Sequence, residues 1–155
     1  HCLLMAYSHV AHDCVVGDRV IMANAVQLGG HVEVGDWAII GGLTGIHQFC
    51  RIGEHTMLGS CSRVVKDVPP FTLSGREPVT VEGVNVVGLR RRGFDAARVT
   101  AIEDFYRTLL RSGLNTSDGI AEYERTHPVC DEAVQRCIDF IRTSKRGIYR
   151  GASRA

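Results

Sequence analysis

Hydrophobic residues recur every six positions from Leu4 to about Pro69. Each unit of six opens with an aliphatic residue or, once, a methionine, and a small or compact residue occupies its fifth place. A fixed short period sustained over this length indicates a repeat architecture rather than a set of separate motifs. The opening residues are Leu4, Val10, Val16, Met22, Leu28, Val34, Ile40, Ile46, Ile52, Leu58 and Val64.

The period predicts the geometry of the repeat. Place five, place six and the next place one alternate inward, outward and inward, which is the pattern of a short strand. Glycine often follows the opening residue, as at Gly17, Gly29 and Gly35, so places two to four are predicted to turn a corner where glycine is conformationally cheap. Three such sides close one coil, and successive coils stack as parallel strands about 4.8 Å apart. The pattern predicts a mainly β fold, a three-sided parallel β-helix with an aliphatic core.

The repeat is predicted to occupy residues 1–70, because two adjacent prolines, Pro69 and Pro70, remove donors from the strand ladder. Residues 71–93 alternate only weakly between apolar and polar positions. We expect them to form a strand-like or looped connector, since they contain Gly75, Pro78 and Gly83.

Helical spacing dominates the rest of the chain. Asp95 is a favourable N-cap, and apolar residues then recur at helical spacing as far as Gly113. Further stripes, over roughly 116–126 and around 134–141, predict two more helices. Residues 94–155 are therefore predicted to form a small C-terminal helical domain.

Composition narrows the class of protein. The chain has 155 residues, a formal charge of +1 and a mean hydropathy near zero, so we expect a compact soluble protein that is not a general nucleic-acid binder. No apolar run approaches membrane-spanning length, and no secretory signal is visible, so no membrane insertion is expected. Because His1 is not a start methionine and lies in a hexad already in progress, we expect a fragment whose missing upstream coils continue the same helix.

Six cysteines raise the question of disulfides. Cys2, Cys14 and Cys50 occupy the inward fifth place, and Cys14 lies two coils from Cys50, about 10 Å away by stacking and too far to bridge. We interpret them as small buried hydrophobic residues in a protein of the reducing cytoplasm.

Three units of six make one coil of eighteen residues, so residues eighteen positions apart stack in one column. Counting in this way brings distant polar side chains together. His12, Gly30 and Gln48 share one column, and Asp13 and His31 share the next. His47 falls in the column before, and His9 lies on the strand that leads into this corner, whereas His55 belongs to another. The predicted corner set is His9, His12, His31, His47 and Gln48.

The corner has the elements of acyl-transfer chemistry. A neutral imidazole at His12 could take a proton from a hydroxyl, with Asp13 beside it as support. Gly29 and Gly30, one coil above, leave backbone N–H groups uncovered, and an oxyanion requires such donors. A set of surface histidines without chemistry and a zinc site with three or four ligands remain open as alternatives.

Several runs of residues resemble the acyl carrier protein-dependent UDP-N-acetylglucosamine O-acyltransferase family, whose members begin lipid A synthesis. The resemblance extends from about Cys2 to the C-terminal tail. The runs are His9-Val10-Ala11-His12-Asp13-Cys14, Leu28-Gly29-Gly30-His31-Val32, Ile40-Gly41-Gly42, Ile46-His47-Gln48-Phe49-Cys50, Asp67-Val68-Pro69-Pro70, Gly83-Val84-Asn85 and Gly88-Leu89-Arg90-Arg91-Arg92-Gly93-Phe94.

The resemblance implies a left-handed β-helix and an enzyme that moves an (R)-3-hydroxyacyl chain from acyl carrier protein to the 3-hydroxyl of UDP-N-acetylglucosamine. It also implies a cytoplasmic homotrimer with its active site between subunits and no cofactor or metal. Outward apolar residues on an exposed side of the β-helix fit such a subunit contact. They are Val15, Ile21 and Ile39.

The resemblance assigns roles to the corner residues. His12 is implied as the general base, Asp13 as its support and the Gly30 N–H as the oxyanion donor. The substrate cleft is implied to include His9, His31, His47 and Gln48.

The nucleotide and acyl ends are implied elsewhere in the chain. Asn85, Arg91 and Arg92 would hold the uridine diphosphate, since arginine binds phosphate in a bidentate manner. A solvated basic turn that attracts the acidic carrier is the alternative for the arginines. The chain departs from the family at Val86 and Val87, where an acidic residue is common, and at the acyl-chain ruler position, where Ser60 replaces a frequent glycine.

Three other functions remain as alternatives. The first is the related UDP-3-O-acylglucosamine N-acyltransferase. The second is a zinc-dependent hydratase like the γ-class carbonic anhydrases, and the third is a catalytically silent assembly module.

Overall fold

The hexads fold into a three-sided parallel β-helix in the computed structural model, which describes residues 1–151. Two-residue strands form the sides of the coils, and a hairpin of two longer strands, β12 (Thr72–Gly75) and β13 (Thr80–Val84), follows them. The short strands are β1 (Leu3–Leu4), β2 (His9–Val10), β3 (Val15–Val16), β4 (Ile21–Met22), β5 (Gln27–Leu28), β6 (Glu33–Val34), β7 (Ile39–Ile40), β8 (Gly45–Ile46), β9 (Arg51–Ile52), β10 (Met57–Leu58) and β11 (Arg63–Val64).

The short strands form three faces, and neighbouring strands within each face are parallel. The first face contains β1, β4, β7 and β10, the second β2, β5, β8 and β11, and the third β3, β6 and β9. Paired residues such as Leu3 and Ile21 are eighteen positions apart, which confirms the predicted coil. The fold is a left-handed parallel β-helix followed by a helical domain, as predicted.

Two of the corners carry the polar and aromatic side chains of interest. The histidine corner joins the second and third faces and comprises residues 11–14, 29–32 and 47–50. The tryptophan corner joins the third and first faces and comprises residues 17–20, 35–38 and 53–56. The remaining corner, between the first and second faces, contains Ser60.

The corners turn at residues that are not glycine. The fourth place of successive units has a positive φ, for example 57° at Asp13, 61° at Trp37 and 55° at His55. The expectation that glycine supplies the corner conformation is therefore wrong. The second-place glycines are needed for close approach of the coils, because a Cβ on Gly35 would lie 2.6 Å from the backbone nitrogen of Glu54 in the next coil.

Inward aliphatic side chains fill the β-helix, and Met22, Ile40 and Leu58 are fully buried. The first coil is open, since Leu4 remains 49% exposed. The prediction of a buried thiol is wrong for Cys2, which is exposed, while Cys14 is half-buried and Cys50 is buried. Cys2 also points inward, but within residues 1–151 its coil has a stacking neighbour on one side alone.

Residues 71–93 continue the fold beyond the two prolines. Strand β12 pairs in parallel with β10 and antiparallel with β13, so the hairpin extends the first face. A short helix, α1 (Val86–Arg91), then begins after Asn85, whose side chain accepts a hydrogen bond from the Gly88 N–H. The apolar pattern did not indicate this helix.

Three helices form the C-terminal domain at the places where helical stripes were expected. They are α2 (Ala96–Arg111), α3 (Thr116–Thr126) and α4 (Glu132–Arg142), and Asp95 caps α2 as predicted. Their core includes Phe105, Tyr123 and Ile138. The last four positions of the predicted helical domain, 152–155, lie outside the described residues.

Polar contacts fasten the helical domain to the last coils. The buried Asp67 carboxylate accepts hydrogen bonds from the Arg51 N–H at 2.9 Å and the Ser144 hydroxyl at 2.7 Å. Tyr106 donates its hydroxyl proton to the Pro70 carbonyl at 2.7 Å. Within the part of the chain that the structure describes, no helix combines the length and the apolar character needed to cross a membrane.

Candidate active site

His12 and Asp13 form a hydrogen-bonded pair at the histidine corner. The left-handed conformation of Asp13 turns its carboxylate towards its neighbour, whereas adjacent residues in a strand would point apart. His12 Nδ1 lies 2.8 Å from Asp13 Oδ2. Since an ionised carboxylate can only accept, the proton of the neutral imidazole lies on Nδ1 and Nε2 keeps its lone pair.

Electrostatics keep Asp13 in the form that this arrangement needs. The hydrogen bond from His12 and the nearby His31 lower the pKa of the Asp13 carboxyl. His31 Nε2 lies 3.7 Å from the same carboxylate oxygen. Asp13 therefore remains an acceptor for His12 at neutral pH.

Gly30 lies directly against the His12 ring. A Cβ on Gly30 would lie 2.7 Å from both Cε1 and Nε2 of the imidazole, so only glycine fits with the ring in this position. The Gly30 N–H makes no hydrogen bond with residues 1–151, but the Gly29 N–H donates to the Ile46 carbonyl at 2.9 Å. The expectation of two uncovered amides is thus wrong for Gly29, because that amide belongs to the strand ladder.

His31 continues the corner as part of a ring column. Its ring meets the edge of His12 at a centroid distance of 5.1 Å and stacks on Phe49 at 4.7 Å. Phe49 shares the column of Asp13 and His31 modulo eighteen, yet no role for it was predicted. It is 52% exposed and presents an apolar surface beside the His12 pair.

A groove of about 450 Å³ runs along the second face next to the histidine corner. His9 and His47 line it, together with Gln27 and Arg63, which sequence reasoning missed. The missed residues lie one and three coils after His9 in the same outward column, so the same column arithmetic would have found them. Gln48 is exposed at the corner, where its carbonyl lies 3.1 Å from His47 Nδ1.

The predicted nucleotide residues lie at the tryptophan corner instead. Asn85 donates to the His55 carbonyl at 3.0 Å, and Arg92 Nη1 lies 3.3 Å from His55 Nδ1. Arg91 is exposed on α1. A single chain therefore keeps these residues one whole face away from His12.

The positions where the chain departs from the resembled family are near this corner and at the third one. Val86 is half-buried in the first turn of α1, Val87 is 63% exposed, and that turn contains no acidic residue. Ser60 is exposed at the remaining corner, across the second face from the histidines.

The outward apolar residues do not form one side of the prism. Val15 lies on the third face and is 63% exposed, whereas Ile21 and Ile39 pair with each other on the first face and are half-buried. The prediction of a single apolar side is wrong, because Val15 belongs to a strand of one face and the two isoleucines belong to strands of another.

Among the described residues, His12, Asp13 and His31 bring ligand-type atoms within 4.8 Å of one another. Two imidazoles and a carboxylate have the chemistry to hold a divalent transition metal. The His12 to Asp13 hydrogen bond accounts for the closeness of the first pair without an ion.

Comparison with known proteins adds the family to this geometry. The family described as "UDP N-acetylglucosamine O-acyltransferase; Domain 2" matches residues 67–149, more than half of the chain. The chain belongs to the UDP-N-acetylglucosamine O-acyltransferase family. An acyl-[acyl-carrier-protein]–UDP-N-acetylglucosamine O-acyltransferase of Thiobacillus denitrificans is 47% identical over 97% of this chain. The corresponding protein of Verminephrobacter eiseniae is 50% identical over 95% of it.

Solved structures of family members agree with the fold. The UDP-N-acetylglucosamine acyltransferase of Bacteroides fragilis superposes with a TM-score of 0.94 at 41% identity, covering 97% of this chain and 58% of that one. The Arabidopsis UDP-N-acetylglucosamine acyltransferase superposes with a TM-score of 0.91 at 34% identity, and the match covers 97% of this chain and 55% of the Arabidopsis chain. This chain spans 58% and 57% of the length of the two relatives named above.

Proposed function

We propose that the protein is an acyltransferase that moves an (R)-3-hydroxyacyl chain from acyl carrier protein to the 3-hydroxyl of UDP-N-acetylglucosamine. Family membership supports the reaction class. The observation that carries the proposal is the His12 ring, held at Nδ1 by Asp13 and lying with Nε2 against Gly30.

The proposed reaction begins with proton transfer to His12. Nε2 removes the proton of the sugar 3-hydroxyl as its oxygen attacks the thioester carbonyl, and Asp13 stabilises the resulting imidazolium. The Gly30 N–H donates to the oxyanion of the tetrahedral intermediate. The intermediate then expels the carrier thiolate, which takes the proton back from His12, leaving an ester and a free carrier thiol.

The groove on the second face is the proposed binding surface for the remaining substrate atoms. His9 and His47 line it, and His31 and Gln48 lie at the corner beside it. Ser60 would act as the acyl-chain ruler, since it lies at the far edge of the second face. Its hydroxymethyl group would leave less room there than glycine.

A homotrimer would complete the site. Asn85, Arg91 and Arg92 are the proposed ligands of the uridine diphosphate, but in one chain Arg92 lies at the tryptophan corner rather than beside His12. A neighbouring copy could supply them across a subunit interface, and both guanidiniums suit the diphosphate.

We further propose a cytoplasmic protein whose partners are the acyl carrier protein and the nucleotide sugar. The six cysteines are free thiols, which fits a reducing compartment. No cofactor takes part in the proposed chemistry.

His12→Ala tests the proposal. Turnover of (R)-3-hydroxyacyl carrier protein with UDP-N-acetylglucosamine should fall by about two to four orders of magnitude, because the general base is lost. His127→Ala in the helical domain is the matched control and should keep normal turnover, with the oligomeric state of both variants measured by light scattering. Normal turnover in His12→Ala would remove His12 from the proposed role.

Two assays separate the alternatives. Offering acceptor sugars with either a free 3-hydroxyl or a free amine distinguishes the proposed O-acyltransferase from the related N-acyltransferase. Metal analysis of the purified protein, with hydratase activity measured before and after chelation, tests the zinc enzyme. Stoichiometric zinc with chelator-sensitive hydration of CO₂ would favour the hydratase over acyl transfer.

A further inference from the structure

His55 is a buried histidine at the tryptophan corner, away from the His12 pair. It is 8% exposed. Its ring stacks with Trp37 at a centroid distance of 6.0 Å and with Phe71 at 5.5 Å, and it meets Phe94 edge-on at 5.0 Å. Packing therefore fixes the ring and the direction in which its nitrogens point.

One nitrogen of this ring faces an arginine. Arg92 Nη1 lies 3.3 Å from His55 Nδ1, while Nε2 lies 4.0 Å from the Glu54 carboxylate. A guanidinium can only donate, so Nδ1 must accept and the ring proton lies on Nε2, towards Glu54.

The surroundings keep His55 uncharged. Burial is the largest cause that lowers the pKa of His55, the positive charges of Arg92 and Arg136 act in the same direction, and Asp36 opposes them, so that the pKa is about 4. At neutral pH the ring is neutral, and its Nδ1 lone pair is available to Arg92.

Arg92 is held from a second side by the Trp37 ring. Its Cζ lies 5.3 Å from the centroid of the Trp37 ring, and the carbonyl of His55 accepts from Asn85 at the start of α1. No carboxylate within residues 1–151 forms an ion pair with Arg92. The positive charge of the half-buried guanidinium is therefore not neutralised by a carboxylate of the described residues, and its remaining N–H groups can bind a ligand.

We propose that His55 is a positioning residue, whose Nδ1 holds the Arg92 guanidinium in the orientation that binds the diphosphate of the nucleotide sugar. This inference rests on the proposed function, in which Arg92 is a nucleotide ligand. His55 touches no reacting atom and acts through Arg92.

Two substitutions separate the acceptor from the stacking. In His55→Asn, Oδ1 takes the place of Nδ1, and asparagine tolerates the φ of 55° at this position, but the aromatic stack is lost. In His55→Phe the stack remains and the acceptor is lost. Phenylalanine fits this conformation, since Phe49 and Phe71 have φ values of 63° and 61° at equivalent corners.

The KM for UDP-N-acetylglucosamine should depend on whether residue 55 has a hydrogen-bond acceptor, and not on the stability of the variant. We expect His55→Phe to raise KM roughly fivefold, the effect of losing one orienting hydrogen bond, with kcat and melting temperature near normal. His55→Asn should lower the melting temperature and leave KM near normal. His127→Phe, in the helical domain, is the matched control and should change neither kinetic parameter.

Arg92→Ala shows whether a negative result concerns the positioning role of His55 or the proposed nucleotide-binding role of Arg92. It should raise KM by more than His55→Phe does, and adding His55→Phe to it should raise KM no further, because both changes remove one interaction. If Arg92→Ala raises KM while His55→Phe does not, the positioning role is wrong and the nucleotide role of Arg92 stands. If Arg92→Ala leaves KM unchanged, that part of the proposed function is wrong as well.

Discussion

At the scale of single residues, the histidine corner depends on a backbone conformation that few residue types adopt. Asp13 has a φ of 57°, and His31 in the next coil has 59°. This conformation costs roughly 1–2 kcal/mol for a residue with a Cβ. In return it turns the Asp13 carboxylate back to His12 and aligns His31 with the stacked Phe49 ring. The cost is incurred where the candidate chemistry needs the side chains to meet.

Gly30→Ala should lower activity strongly and leave the fold intact. The added methyl group would occupy the space of His12 Cε1 and Nε2, with no backbone atom among its nearest neighbours. The exposed imidazole can swing aside at little cost in stability, but it would then leave the Gly30 amide. We expect kcat to fall by roughly 100-fold and the melting temperature to change little.

Gly29→Ala is the matched comparison for this variant. Its methyl group would lie 2.8 Å from the Gln48 backbone nitrogen and 3.1 Å from the Ile46 carbonyl oxygen, neither of which can swing aside. Thermal unfolding followed by circular dichroism should show a clear loss of stability for Gly29→Ala. A fully active Gly30→Ala enzyme would mean that contact between His12 and Gly30 is not needed for turnover.

At the scale of the coil, stacking depends on glycines whose missing side chain lets neighbouring coils touch. Gly35→Ala should destabilise the protein by about 1–3 kcal/mol, the usual cost of overpacking, because its methyl group would lie 2.6 Å from the Glu54 nitrogen and 2.9 Å from Glu54 Cα. Gly45→Ala is the control, since nothing lies within 4 Å of its added methyl group. Urea titration measures both. Equal stability of the two variants would contradict the close-approach role.

Most of the coil structure could be predicted from the sequence because each inward position repeats in a column. Met22, Ile40 and Leu58 recur at eighteen-residue intervals and are fully buried, as such a column requires. The arithmetic fails just before the two prolines, because Ile52 bridges to Val68 and Leu58 pairs with Ser74, in both cases sixteen positions on rather than eighteen. A pattern of period six carries no information about a coil that is two residues shorter.

Helix α1 and the contact between Arg92 and His55 were not predicted, for a different physical reason. The helix is short, contains a glycine and depends on the Asn85 side chain and on burial of Leu89 for its stability. Its contact with the coils joins Arg92 to a residue 37 positions earlier. Periodicity places residues within the repeat, but it cannot place the repeat against a chain that folds back on it.

At the scale of the whole molecule, the two halves of the candidate site lie at different corners. The His12 pair and Gly30 belong to the histidine corner, while Arg92 is fixed on His55 and Trp37 at the tryptophan corner. The third face lies between them. A site that uses both sets within the proposed trimer must take them from neighbouring copies.

Mixing two impaired variants tests this arrangement. Chains carrying His12→Ala are unfolded and refolded together with equal amounts of chains carrying Arg91→Ala and Arg92→Ala. If each site takes His12 from one copy and the arginines from its neighbour, random assembly leaves about a quarter of the sites intact. At a nucleotide-sugar concentration well below KM, acyl transfer should therefore recover to about a quarter of the normal rate.

A second mixture serves as the control. His12→Ala and Gly30→Ala alter the same corner of the same chain, so no arrangement of these chains restores a complete corner, and their mixture should gain no activity over its parents. The first mixture should gain activity over both of its parents after co-refolding and not after simple mixing of the folded proteins. No gain in the co-refolded sample would mean that each chain builds its site alone, which would require Arg92 to leave His55 and cross the third face.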